Sequence, residues 1–233
     1  MIRKFIRAVI SEAMATPQVA QKAGLALAFV DDGDEHYAVL YDRGATAQQL
    51  EDASHNPQFQ FRDEAPEVIV QNVKAMTMFS SSVTGEAEGA WEIRRSAAEK
   101  GSGYGPLMYY ITMAHVPTHT IMSDRQDVSG DAGGVWSKFA SGGGGVEALK
   151  LDDEEDPKTE PTKDDSKLVK DPKRPYLDYA YRQKSGGTQT GQLEAAHDEF
   201  VGDIGFSIDG VTEADVSAAI RAAAKKYFES KYS

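Results

Sequence analysis

Cysteine is absent from the 233 residues, which removes disulfide frameworks, thiolate metal sites and cysteine nucleophiles together. A chain without cysteine is indifferent to redox state, so this absence favours no compartment. No apolar run approaches the roughly 20 residues of a membrane span, and no membrane partner is expected. Basic residues are in short supply: 25 Lys and Arg stand against 37 Asp and Glu, for a net charge of −12. So acidic a surface repels phosphate backbones, which disfavours nucleic acid as a partner. No internal repeat is evident. What is present is ordinary for a globular chain able to bury its own core, at 40% hydrophobic and 9% aromatic residues.

The first 13 residues superficially resemble an export signal, with basic residues ahead of apolar ones. However, Ile2, Phe5, Ile6, Val9, Ile10 and Ala13 fall at helical spacing with Arg3, Lys4, Arg7 and Glu12 between them. An amphipathic helix against a core or a protein partner is the expectation. After Thr16-Pro17 a short turn or two of helix should end at Gly24. Residues 25–30 and 36–41, separated by Asp31-Asp32-Gly33-Asp34, read as a β-hairpin.

Residues 45–53 read as helix and 56–65 as an irregular connection. Residues 67–80 read as a long strand with a bulge near Gln71-Asn72, where the alternation changes phase. A strand at 90–98, a helix at 106–114, a strand at 118–122, a helix at 129–139 and a strand at 146–151 complete a mixed α/β sheet. Residues 152–175, rich in Asp, Glu, Lys and Pro, have the composition of a solvated insert. Beyond them Tyr176, Tyr179 and Tyr181 form an aromatic anchor, followed by helices at 192–201 and 212–227. Thr212 with Asp215 resembles a capping box. The domain reading is 1–151, an insert at 152–175, and a helical extension at 176–233.

The segment Lys100-Gly101-Ser102-Gly103-Tyr104-Gly105 lies between a predicted strand and a predicted helix. Such a turn aims backbone N–H groups and the positive end of a helix dipole at one point, which makes a ready anion site. Glycines let a ligand approach the backbone without a Cβ in the way. A Walker loop would end in Gly-Lys-Ser/Thr, which is missing, and the glycines at 101, 103 and 105 lack the dinucleotide spacing. The bland alternative is an ordinary strand-to-helix turn.

Lys100 through Gly105 resembles motif A of the GNAT (N-acetyltransferase) superfamily, Arg/Gln-x-x-Gly-x-Gly/Ala, with Lys in the first place. Residues 91–96 are similar to the strand whose backbone carries the pantetheine arm, and 131–139 to the family's next helix. The likeness covers about half the chain. More narrowly, residues 103–109, 123–125 and 128–129 are similar to GNAT-like proteins of tailed bacteriophages. The resemblance implies a GNAT-like mixed sheet with flanking helices, here with an N-terminal helix and a helical C-terminal extension. It further implies acetyl-CoA as co-substrate and transfer of its acetyl group to an amine, in a bacterial host's cytoplasm or in a virion.

By that resemblance, Ile93, Arg95, Lys100, Gly101, Ser102, Gly103, Tyr104 and Gly105 bind the cofactor. The amine needs a base and the departing thiolate an acid, and the candidates are Glu92 and Asp124, with Tyr104 and Tyr109 flanking the loop. Trp136 stands where the family often has an acid Tyr, and cannot usefully donate a proton. An inactive structural or virion-associated protein of the same fold is therefore the alternative, and transfer to nucleobases is disfavoured by the charge. Ser123-Asp124-Arg125 also reads as a turn with Arg125 paired to Asp127. His115 and His119 have helical metal-ligand spacing, but Pro117 lies between them and no third ligand is apparent.

Overall fold

In the computed structural model the described residues are 14–81, 89–124, 128–153, 165–166, 171–184 and 190–232. The N-terminal helix expected over residues 1–13, most of the acidic insert, and the Arg125–Asp127 pairing lie outside them. Thr16 caps a short helix, α1 (Pro17–Lys22), by accepting from the Val19 N–H at 3.3 Å. The chain then turns through Gly24 at φ +75°. A hairpin follows, β1 (Leu25–Asp32) and β2 (Glu35–Asp42), paired from Leu25↔Asp42 to Asp32↔Glu35. Gly33, at φ +68°, supplies the left-handed turn residue.

Asp42 caps α2 (Arg43–Ser54) through the Ala45 N–H at 2.9 Å. The next element corrects the reading of a bulged strand: Phe61–Asn72 is a helix, α3. Its buried residues Phe61, Ala65 and Ile69 recur every four positions, and Asp63 and Glu64 occupy the first turn, where the helix dipole favours acidic groups. The apparent change of phase is the junction where the helix gives way to β3 (Val73–Ser81). The remaining elements are β4 (Trp91–Ala98), α4 (Tyr104–His115), β5 (Thr120–Ser123), α5 (Gly130–Ala140) and β6 (Val146–Lys150). Two-residue strands β7 (Asp152–Asp153) and β8 (Asp165–Ser166) pair with each other. A 3-10 turn (Pro175–Asp178), β9 (Tyr179–Gln183), α6 (Gly191–Ser207) and α7 (Glu213–Tyr232) follow.

The fold is α/β, with a seven-stranded mixed sheet in the order β1-β2-β3-β4-β5-β9-β6. The aromatic segment expected as an anchor on a helical extension is thus partly a strand of the sheet, antiparallel to both β5 and β6. No helix among the described residues is long and apolar enough to cross a membrane.

Two compact units can be distinguished. In the first, residues 1–76, 97–108 and 189–233, the hairpin packs against α6 and α7, and α3 packs along α7. Tyr41 is fully buried there, donating or accepting at His197 Nδ1 across 2.8 Å, with Phe200 edge-on to its ring. The α7 capping box forms as read: the Asp215 N–H donates to Thr212 Oγ1 at 3.3 Å, and the Thr212 N–H to Asp215 Oδ2 at 3.0 Å. The Thr212 hydroxyl, donating to Asp215 Oδ2 at 2.7 Å, then the Thr212 N–H and Arg62 at 2.8 Å, hold the Asp215 carboxyl down to about 2. The second unit, residues 77–96 and 109–188, has an aromatic centre of Tyr109, Trp136, Phe139 and Tyr181, with successive ring centroids 4.7–5.8 Å apart.

Candidate functional site

The loop after β4 begins where the Glu99 N–H donates to Lys74 O at 2.8 Å, with Lys74 Nζ 3.8 Å from the Glu99 carboxylate. The Ser102 N–H returns to Glu99 O at 3.2 Å, closing a four-residue turn with exposed Lys100 at its corner. Gly101 takes the third position at φ +77°, where a type II turn requires a left-handed residue. Ser102 Oγ donates to Glu99 O at 2.6 Å and accepts from the Tyr104 N–H at 3.2 Å. Gly103, at φ +74°, accepts from the Ala15 N–H at 3.2 Å.

This geometry sharpens the loop in two ways. The helix α4 begins at Tyr104 rather than at Pro106, so Tyr104 and Gly105 sit in its first turn. A Cβ on Gly105 would only touch Ala98 Cβ, at an ordinary 3.7 Å. Of the five N–H groups from Gly101 to Gly105, those of Ser102 and Tyr104 serve the turn itself. Those of Gly101, Gly103 and Gly105 have no acceptor among the described residues. Burial, and then the charge of Glu99, push the Tyr104 hydroxyl above its ordinary pKa, so it stays protonated at neutral pH.

The other predicted residues lie on β4 and β5. These strands run parallel, pairing Trp91↔Ile121, Glu92↔Met122 and Ile93↔Ser123, and the Asp124 N–H donates to Ile93 O at 3.1 Å. Among the described residues the ladder ends there, while β4 continues to Ala98. Ile93 is buried, Arg95 is exposed, and Ser96, Ala97 and Ala98 are half-buried.

Glu92 and Asp124 come from neighbouring strands, two positions apart in register. Glu92 is 2% exposed, and its Oε2 lies 2.8 Å from Arg94 Nε. Arg94 Nε–H donates to Ser80 Oγ at 3.2 Å. Asp124 is half-buried at the end of β5.

Tyr109 and Trp136 are core residues. Tyr109 is 3% exposed and stacks on Trp136, itself 2% exposed, with ring centroids 4.7 Å apart. His115 lies edge-on to Phe79, and His119 Nδ1 is 3.2 Å from Met113 O, so the two histidines turn to different neighbours. Arg94 was legible in the sequence, two residues after Glu92 and therefore on the same strand face. Ser80, Lys74 and Ala15 were not, because only strand register and loop path bring them in.

These elements define an α/β protein with a glycine loop between a central strand and a helix. Compared with protein-family models, curated proteins and solved structures, the chain has no match.

Proposed function

We propose that the segment from Trp91 to His115 binds an acyl-CoA, and that the protein is a GNAT-type N-acyltransferase that moves an acetyl group to an amine. The observation that carries this reading is that, among the described residues, β4 and β5 share three pairs while β4 runs on to Ala98. A parallel pair that parts while one strand runs on leaves backbone for an extended ligand to line. In this reading the β4 residues beyond Ile93 take the pantetheine arm. The strand leads directly into the loop whose Gly101, Gly103 and Gly105 N–H groups have no acceptor among the described residues, and these take the pyrophosphate. Lys100 adds a positive charge.

The reaction is direct attack of the amine nitrogen on the thioester carbonyl, held in reach by positioning. The amine proton goes to a base, for which Glu92 and Asp124 are the carboxylates on the strand pair. The departing CoA thiolate takes a proton from an acid, for which Tyr104 is the hydroxyl at the loop. Trp136 favours a second reading. Its complete burial in the aromatic core means that helix α5 offers no acid at the position where the resemblance expects one. A catalytically inactive structural or virion-associated protein of the same fold is that reading.

Calorimetry with acetyl-CoA tests the binding: saturable heat is expected from the native protein, and its absence would exclude the enzyme and favour the structural protein. Release of free thiol in the presence of an amine then separates the enzyme from the inactive relative.

A further inference from the structure

We propose that the terminal amino groups of Arg94 bind a carboxylate, and that they thereby select an acceptor amine that carries one; the second clause rests on the acyl-transfer reading. The pleat of β4 puts Glu92 and Arg94 on one face of the strand. Arg94 Nε donates to Ser80 Oγ at 3.2 Å and is ion-paired with Glu92, whose Oε2 lies 2.8 Å away without a hydrogen bond among the described residues. Both partners are buried, Glu92 at 2% and Ser80 at 7% exposure, whereas the Arg94 side chain is 38% exposed. A guanidinium carries five N–H donors, and Nε supplies one. The four on Nη1 and Nη2 have no acceptor among the described residues.

The buried face of the group is thus committed and, among the described residues, its outer edge is not. Holding Nε fixes the plane of the guanidinium, so the two outer N–H bonds are pre-oriented as a fork. That fork matches the two oxygens of a carboxylate, and little side-chain freedom remains to be lost on binding. Charge narrows the ligand further. Glu92 offsets part of the guanidinium charge, which suits a monoanion and opposes a polyphosphate. A net charge of −12 acts in the same direction. The position suits an acceptor, because Arg94 is the first β4 residue past the described ladder with β5. Asp124, whose N–H donates to Ile93 O just past the Ile93↔Ser123 pair, is the natural competitor for the fork.

The test is a titration of the full chain followed by the backbone amide signals of residues 93–95, using sodium acetate against sodium chloride at equal ionic strength. Native protein and Asp124→Asn are both titrated. A saturable acetate-specific shift is expected, weaker for phosphate, reduced in Arg94→Lys and lost in the charge-balanced double variant Glu92→Gln/Arg94→Gln. That double variant avoids stranding the buried Glu92 charge and keeps the fold testable. No acetate-specific shift in either native protein or Asp124→Asn overturns the proposal, as does a shift that survives in the double variant. In a second arm, acetyl transfer to glycine is compared with transfer to glycinamide. At least a tenfold preference for glycine, narrowed in Arg94→Lys, is expected. Acetate binding without any transfer would uphold the carboxylate site and refute the acyltransferase reading. Equal transfer to both amines would uphold the enzyme and refute the selection.

Discussion

Tyr110 donates its hydroxyl to Gly144 O at 2.6 Å, and Gly144 has φ +71°, a conformation that strains any other residue. A Cβ at Gly144 would lie 2.1 Å from Tyr110 Oη, so the two residues are locked together. Gly144→Ala is expected to destabilise the protein by about 3 kcal/mol through strain and a displaced hydroxyl. Tyr110→Phe should cost only about 1 kcal/mol, the usual worth of one hydrogen bond. Urea unfolding of both variants checks the ratio.

His197 gives a pH dependence. Burial holds its pKa below the ordinary histidine value, against the opposing charges of Asp198 and Glu213. A base with a lowered folded pKa binds fewer protons when folded, so its stabilising contribution is complete above about pH 6.5 and fades as pH falls below that. The urea midpoint should therefore drop between pH 7.5 and 5.5 in the native protein and drop less in His197→Gln. An equal drop in both would refute this assignment.

At the scale of elements, the sequence disclosed most where local rules act alone. The hairpin turn at Gly33 and the Thr212–Asp215 box each depend on residues within a few positions of one another, and each is formed. Helix α3 was misread because Val68 and Val70 alternate like a strand, while the four-residue recurrence of Phe61, Ala65 and Ile69 was hidden by treating their first half as loop. Strand β9 was partly hidden for another reason: its place between β5 and β6 is fixed by partners far away in sequence.

The glycine loop was legible as a turn, but not its internal bonds, which consume two of five N–H groups. Those bonds make its glycines unequal. Gly105→Ala should leave stability nearly unchanged, because its Cβ meets only Ala98 at 3.7 Å. Gly101→Ala must hold a left-handed φ and should lose roughly 1–2 kcal/mol, read in the same urea assay.

At the scale of the whole molecule, Trp136 separates folding from chemistry. It joins Tyr109, Phe139 and Tyr181 at the centre of its unit, so Trp136→Ala is expected to cost about 3–5 kcal/mol. Trp136→Tyr should leave any thiol-release rate unchanged, because a hydroxyl placed at a 2%-exposed position reaches no ligand. A rise in rate would mean that helix α5 opens to the substrate after all.

The central claim is that the loop following β4 binds acyl-CoA, and calorimetry tests it most directly. Acetyl-CoA is titrated into the native chain, Gly103→Asp and Lys100→Glu, with circular dichroism confirming that each is folded. The account predicts saturable heat from native protein, weaker binding in Lys100→Glu and none in Gly103→Asp. No heat from the native chain, or equal heat from all three, would contradict it.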